Sequence, residues 1–104
     1  MADESKLKSL LGFAQKSGRL YIGRTPVLNA LKSNATGLIL FAADATKDAK
    51  ARYEKRTPPF RIGTLPFTKN ELGKILGREQ IGVLCICDPQ MANALVKLLG
   101  SYSS

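Results

Sequence analysis

Two apolar runs of strand length, residues 37–42 and 81–87, constrain the fold more than any other feature of the sequence. Each run is continuous rather than alternating, which is typical of a strand that other elements cover on both faces. A sheet covered on both faces needs helices on each side of it. The two runs therefore predict a layered α/β protein in which they form the central strands.

Helical and strand patterns alternate along the first part of the chain. Residues 4–17 have the apolar spacing of an amphipathic helix, and Gly18 is placed to end it. Residues 20–22 form a short apolar run that predicts a strand. Thr25 and Pro26 are the residue types preferred at the N-cap and first position of a helix, so a second helix is expected to begin there.

The third helix and third strand follow the first central strand. Either Asp44 or Thr46 can cap this helix, which is rich in lysine and arginine and is predicted to run to about residue 56. Its basic side chains are expected to lie at the surface as a solvated face, with a contact stripe for an anionic partner as the weaker alternative. Residues 60–65 form a further short strand, and the prolines around it favour an edge position in the sheet.

Two more helices complete the pattern. Residues 68–71 have capping-box spacing, and Asp88 and Pro89 suit the start of a helix directly after the last strand. The predicted fold is a three-layer α/β/α sandwich around a small mixed sheet of about four strands. We expect a single domain over residues 1–104, with residues 101–104 as a flexible tail.

The two cysteines, Cys85 and Cys87, lie two residues apart in the last predicted strand, so both should face the same side of the sheet. A bridge between them there would be strained. The chain contains no histidine, so a zinc site lacks its usual ligands. We expect reduced thiols that pack as small apolar groups, and no metal.

The charge of the chain points to an anionic partner. The formal net charge is +8, and nucleic acid is the commonest polyanion that a basic domain of this kind binds. The first third of the chain is the most basic part. Its cationic residues are Lys6, Lys8, Lys16, Arg19, Arg24 and Lys32, against two carboxylates.

Several other classes of function are disfavoured. Acid–base or nucleophilic catalysis needs mutually perturbed titratable groups, and the sequence offers no histidine and few carboxylates. An acidic ligand pocket built from Asp44 and Asp88 is a weaker alternative, since helix capping explains both. The N-terminal residues lack the apolar run of a secretory signal, and no run could span a bilayer, so we expect a cytoplasmic protein.

Residues 23–26 suit the binding of a phosphate group. A helix N-terminus presents unpaired amides, and here an arginine lies beside them. The sequence Gly-Arg-Thr-Pro lacks the further glycines and the lysine of a nucleotide-binding loop. An anion site and an ordinary turn between a strand and a helix are equally compatible with these four residues.

Several segments resemble, in order, the ribosomal protein seven-Ae family, and the resemblance covers nearly the whole chain. It is strongest to the small bacterial YlxQ-like branch. The segments are Leu10-Leu11-Gly12-Phe13-Ala14, Ser17-Gly18-Arg19-Leu20, Gly23, residues 38–44, Glu71-Leu72-Gly73-Lys74 with Gly77, and Cys87-Asp88-Pro89-Gln90.

The resemblance implies a non-catalytic protein that binds kink-turns, which are sharply bent RNA helices, and that uses no cofactor or small-molecule substrate. It implies structured RNA as the partner, including ribosomal RNA. We expect the protein to be a monomer. Its RNA face would comprise the start of the second helix and the loop before the last helix. With the nearby cations, the expected RNA-binding residues are Lys16, Arg19, Gly23, Arg24, Thr25, Pro26, Asn29, Lys32, Cys87, Asp88, Pro89 and Gln90.

One departure from the family pattern affects how RNA would be recognised. Strong kink-turn binders resemble one another in an Asn-Glu pair followed by a lysine, whereas Thr25, Pro26 and Asn29 stand at the matching positions. Proline donates no main-chain hydrogen bond, and threonine is shorter than an amide side chain. A protein-interaction module that is associated with the ribosome and has lost specific RNA readout is therefore the main alternative.

Overall fold

The computed structural model describes residues 4–33, 37–54 and 61–100, which form five helices and four strands in alternation. In chain order these are α1 (Glu4–Lys16), β1 (Leu20–Ile22), α2 (Arg24–Lys32), β2 (Leu38–Phe41), α3 (Lys47–Glu54), β3 (Arg61–Thr64), α4 (Lys69–Leu76), β4 (Val83–Ile86) and α5 (Pro89–Gly100). Every helix and strand that the sequence predicts is present in this order.

The four strands form one mixed sheet in the order β1-β4-β2-β3. Strand β4 pairs antiparallel with both β1 and β2, and β2 pairs parallel with β3. All four residues of β2 and all four of β4 are buried, which confirms that the two apolar runs are the central strands. Strand β3 lies at the edge, as its flanking prolines predict.

Helices cover both faces of the sheet and divide the core into two clusters. On one face, α1, α4 and α5 bury leucines against Leu40 and Leu84. On the other face, α2 and α3 pack Leu31 and Tyr53 against Ile39 and other residues that alternate with those of the first face. The arrangement confirms the three-layer α/β/α sandwich.

The directions of the strands determine where each helix begins. Strands β1, β2 and β3 run the same way and β4 runs against them, so α2, α3 and α4 all begin at the same end of the sheet. We call this the Gly23 end, because the Gly23 N–H donates to the carbonyl of Val83 there. Helix α5 begins at the opposite end, which we call the Asp88 end.

The start of α2 differs from the prediction. The helix begins at Arg24 with Gly23 as its N-cap residue, so Thr25 is not the cap and Pro26 is the third helical residue. Gly23 has φ 96°, a conformation that glycine adopts at little cost, and this lets the chain pass directly from β1 into the helix. Pro26 is tolerated because amides of the first turn have no acceptor within the helix.

The caps of α3 and α4 resolve an alternative that the sequence left open. The Thr46 hydroxyl accepts from the Ala49 N–H and caps α3, whereas Asp44 accepts from the Lys69 N–H at the start of α4. A capping box between Thr68 and Glu71 begins α4, as predicted. The predicted end of α3 near residue 56 and the flexible tail at residues 101–104 lie outside the described residues.

The central strands are shorter than the apolar runs that predict them. Strand β2 covers Leu38–Phe41 rather than residues 37–42, and β4 covers Val83–Ile86 rather than residues 81–87. The four residues of each strand pair with one another in register, from Leu38 opposite Ile86 to Phe41 opposite Val83. Ile81 remains buried in the core outside the strand. None of the helices that the structure describes is long and apolar enough to cross a membrane.

Candidate nucleic-acid interface

The structure divides the residues expected to bind RNA between the two ends of the sheet. Gly23, Arg24, Thr25 and Pro26 lie at the Gly23 end, where β1 passes into α2. The segment 87–90 follows the C-terminus of β4 and lies at the Asp88 end. Because β1 and β4 are antiparallel, the loops that follow them point in opposite directions, and the structure does not bring the two groups together.

The first turn of α2 presents amides that no side chain caps. The Val27 N–H donates to the Gly23 carbonyl at 3.2 Å, and Pro26 has no N–H to offer. The amides of Arg24 and Thr25 therefore remain for an acceptor from outside the helix. Both residues are exposed, and the Arg24 guanidinium belongs to the same turn.

Segments from other parts of the chain surround this turn. The Ala42 N–H donates to the carbonyl of Gly82, and the Ile81 N–H donates to the carbonyl of Lys69, so the loop before β4 is held against the start of α4. The Asp44 carboxylate accepts from the Lys69 N–H at 3.0 Å, which joins the loop after β2 to the same place. Four loops distant in sequence thus meet at the Gly23 end.

A cavity of about 210 Å³ opens between α2, α3 and the start of β4. Its apolar side is formed by Phe41, Tyr53 and Val83, of which the two aromatic rings meet edge to face at 5.5 Å. Its lining also includes three cationic residues, Arg24, Arg52 and Lys69. The cavity combines an apolar wall with a cationic rim, which suits a planar ligand that carries negative charge.

The backbone adds positive potential to the Gly23 end. The N-terminus of a helix carries a partial positive charge, and α2, α3 and α4 all begin here. Capping side chains already accept from the first turns of α3 and α4. The Thr46 hydroxyl accepts from the Ala49 N–H, the Thr68 hydroxyl accepts from the Glu71 N–H, and the Glu71 carboxylate accepts from the Thr68 N–H. Helix α2 has no such cap and is the strongest of the three as an anion site.

At the Asp88 end, the predicted residues are engaged with one another. The Asp88 carboxylate accepts from the Arg19 guanidinium at 3.0 Å and from the Gln90 and Met91 N–H groups at 2.8 and 3.4 Å. Asp88 thus caps α5, as the sequence predicts, and neutralises Arg19. The contacts join the turn before β1 to the start of α5.

The remaining predicted cations and the asparagine lie on exposed helix positions. Lys16 ends α1, next to the turn that leads to Arg19. Asn29 is four residues after Thr25 and three before Lys32, so these three exposed residues follow one face of α2. This face begins at the Gly23 end and leads away from it.

The two cysteines face the same side of the sheet, as predicted, with their Sγ atoms 3.8 Å apart. Both are free thiols. The hydrogen bond between the two thiols lowers the pKa of Cys87, and the same bond and burial raise the pKa of Cys85. Within the described residues, no group of three or more histidine, cysteine, aspartate or glutamate side chains could hold a metal ion.

The acidic pocket considered as an alternative does not form. Asp44 follows β2 and Asp88 follows β4, and these strands are antiparallel, so the two carboxylates lie at opposite ends of the sheet. Each is also used as a hydrogen-bond acceptor for a helix start. Neither residue is available to build a joint site.

Comparison with known proteins agrees with this architecture. A sequence model of the ribosomal protein L7Ae/L30e/S12e/Gadd45 family matches residues 5–96. The chain belongs to this family. The resemblance to the ribosomal protein seven-Ae family in the sequence is thereby confirmed.

One similar sequence and one similar solved structure each cover most of this L7Ae/L30e/S12e/Gadd45 family member. "RNA-binding protein YlxQ" from Bacillus subtilis (strain 168) is 26% identical over 94 residues, which are 86% of this chain and 91% of that protein. A solved structure of a protein with unknown function from Bacillus halodurans C superimposes with a TM-score of 0.82. It is 22% identical and covers 91% of this chain and 97% of its own, so it supports the fold alone.

In this member of the L7Ae/L30e/S12e/Gadd45 family, the sequence did not indicate Lys69 or Arg78 as site residues, and a solvated face was the preferred interpretation of the basic helix that carries Arg52. Arg52 and Lys69 line the cavity beside Arg24, and exposed Arg78 lies in the loop before β4. The sequence signal that could have found Lys69 is its position at the start of a helix that follows a strand, where open α/β sheets place their ligands. That signal becomes usable only when the directions of the strands are known.

Proposed function

We propose that this chain binds structured RNA without catalysing a reaction on it, and that the RNA contacts the Gly23 end of the sheet. The observation that carries the proposal is the meeting of Arg24, Arg52 and Lys69 around one cavity, beside the uncapped start of α2. Family membership and the name of the Bacillus subtilis relative support RNA binding in general. No cofactor is needed for binding of this kind.

The proposed mechanism separates positioning from readout. Phosphate oxygens accept from the amides of Arg24 and Thr25 and pair with the cationic side chains, which fixes the RNA on the surface. The cavity receives one unstacked base against its apolar wall at Phe41 and Val83. Proteins read RNA sequence mainly at such unstacked bases, since the major groove of an RNA duplex is too deep and narrow.

The preferred RNA in this proposal is a kink-turn or a similarly bent helix, including those of ribosomal RNA. A sharp bend brings backbone phosphates close to an unstacked nucleotide, which matches a cationic rim beside a cavity. Thr25 and Pro26 offer no amide side chain to base edges at the start of α2. Phosphate contacts and the cavity therefore carry most of the affinity for RNA. In this proposal the protein binds the RNA as a monomer.

The test compares two triple variants that remove the same charge. The first, Arg24→Gln, Arg52→Gln and Lys69→Gln, changes the Gly23 end. The control, Lys16→Gln, Arg19→Gln and Lys32→Gln, changes predicted cations outside it. Fluorescence anisotropy at a series of salt concentrations measures the affinity for a kink-turn RNA and for a straight duplex of the same length. A third variant, with both sets combined, gives the electrostatic baseline.

Each lost phosphate contact lowers the steepness of log affinity against log salt by about 0.7 to 0.9. The Gly23-end variant should therefore lose about 2 to 3 from this slope, and the control variant less than about 1. The native protein should prefer the kink-turn over the duplex. Equal slopes for both triple variants, or affinity that does not change with salt, would contradict the proposed surface.

A protein-interaction module is the second candidate function, and one observation favours it. Phe13 is 59% exposed and lies beside Leu10 and Leu98 in a groove between α1 and α5. Pull-down from ribonuclease-treated lysate tests this candidate. A partner that persists without RNA and is lost in Phe13→Ser would favour the module, whereas partners that disappear with the RNA favour RNA binding.

A further inference from the structure

The cysteine pair at the end of β4 has no part in the proposed RNA surface. The Cys85 and Cys87 Sγ atoms are 3.8 Å apart, and the sulfurs share a hydrogen bond. Cys85 is fully buried among residues of α2 and β2, whereas Cys87 is only partly buried. One thiol is thus within reach of a small solute, and the second lies directly behind it.

We propose that Cys85 and Cys87 are an oxidation site, at which a peroxide converts the two thiols into an intramolecular disulfide. Two residues of extended strand advance about 6.6 Å, which is near the upper limit of the Cα separation that a disulfide accepts. Side chains that point the same way from one strand have Cβ atoms about as far apart as their Cα atoms, beyond the roughly 3.5 to 4.5 Å of a disulfide. Cys85 is held within the sheet opposite Ile39, whereas Cys87 lies just beyond β4 and is tied by its N–H to the Arg19 carbonyl. The bond therefore forms only when the backbone at Cys87 bends toward Cys85 and releases that hydrogen bond, and it forms under strain.

The oxidation of the two thiols takes place in two steps, in which atoms and electrons balance. The Cys87 thiolate attacks one oxygen of hydrogen peroxide, forming a sulfenic acid and releasing hydroxide, which takes up the proton that the thiol had lost. The Cys85 sulfur then attacks the Cys87 sulfur, the S–O bond breaks, and the leaving hydroxide takes the Cys85 proton. Two thiols lose two electrons and two protons in total, and one peroxide becomes two waters.

The environments of the two sulfurs suit these roles. Attack on peroxide requires a thiolate, and the hydrogen bond with Cys85 lowers the pKa of Cys87. Burial and the same hydrogen bond raise the pKa of Cys85, so this residue stays a thiol until a sulfenic acid forms beside it. Cys87 is therefore the attacking residue and Cys85 the resolving one.

Strain determines how long the oxidised state lasts. Strained disulfides have more oxidising potentials than structural ones and are more readily reduced. The disulfide of this pair should therefore open again in the presence of a dithiol such as thioredoxin. Neither cysteine lines the cavity, although Cys85 packs in the same core cluster as Phe41 and Val83 of the cavity wall.

The experiment treats the reduced full-length protein with hydrogen peroxide, followed by alkylation and intact-mass analysis without reductant. The native protein should become lighter by about 2 Da and resist alkylation at both cysteines. Cys85→Ala cannot resolve the first product and should accumulate a sulfenic acid that reacts with dimedone. Cys87→Ser should remain reduced, because its other thiol is buried.

Four results would overturn the inference. These are disulfide-linked dimers in place of the lighter monomer, two alkylatable thiols after peroxide treatment, no dimedone adduct in Cys85→Ala, and oxidation of Cys87→Ser as fast as the native protein. Circular dichroism of each variant before oxidation shows whether it is folded. The Cys87→Ser change is at a partly exposed position and keeps the experiment decisive if Cys85→Ala fails to fold.

Discussion

Substitution of Gly73 tests how α4 is held to the loop before β4, which forms part of the Gly23 end. Gly73 is buried, and a Cβ atom placed on it would lie 2.4 Å from the Glu79 carbonyl oxygen and 2.7 Å from that of Arg78. These are backbone atoms and cannot rotate away. The loop is also tied down, since the Arg78 N–H donates to the Gly73 carbonyl at 2.7 Å.

The size of the effect follows from two opposing contributions. Alanine is favoured over glycine inside a helix by about 1 kcal/mol. Overpacking costs about 1 to 3 kcal/mol, and the upper part of this range applies because both obstructing atoms belong to the backbone. Gly73→Ala should therefore lower the free energy of unfolding by about 1 to 2 kcal/mol. This corresponds to a fall in Tm of about 4 to 8 °C for each kcal/mol.

Gly12→Ala is the matched control, because Gly12 also lies within a helix and a Cβ there would meet nothing within 4 Å. This variant should gain about 0.5 to 1 kcal/mol from helix propensity alone. Urea unfolding followed by far-ultraviolet circular dichroism measures both variants. If Gly73→Ala is as stable as Gly12→Ala, the backbone of the loop before β4 does not approach Gly73 closely enough to exclude a methyl group, and this prediction is refuted.

Two further predictions concern helix starts. The hydrogen bond from the Thr68 N–H, and to a lesser extent the one with its hydroxyl, holds the pKa of Glu71 below its ordinary value of 4.5. Ionised Glu71 therefore stabilises the fold above its ordinary pKa, and this stabilisation is lost as the pH falls through the lower pKa of the folded state. Glu71→Gln has no such group to titrate, so its urea midpoint should fall less between about pH 5 and about pH 3 than that of the native protein. Asp88→Asn keeps a capping oxygen and loses only the ion pair with Arg19, which should cost less than about 1 kcal/mol in urea unfolding. Asp88→Ala also loses the cap and should cost about 0.5 to 2 kcal/mol more, and equal stability of the two Asp88 variants would contradict the capping role.

The candidate site was only partly predictable from the sequence. The start of α2 could be placed because Gly23 and Pro26 mark it locally, although the cap was assigned to Thr25, two residues too late. The segment 87–90 was grouped with it, but the antiparallel pairing of β1 and β4 puts it at the other end of the sheet. Lys69 was taken only as part of a capping box, since nothing local indicates that it lines a cavity with Arg24.

Local patterns in the sequence determined the order of helices and strands, the central position of the two apolar runs and the capping box of α4. These features depend on residues that are close in the chain, where hydrophobic periodicity and capping act. The tertiary structure alone decided strand direction, and with it which helix N-termini and cations share one end of the sheet. Strand pairing joins residues such as Tyr21 and Cys85, which are far apart in the sequence, and no local signal specifies it.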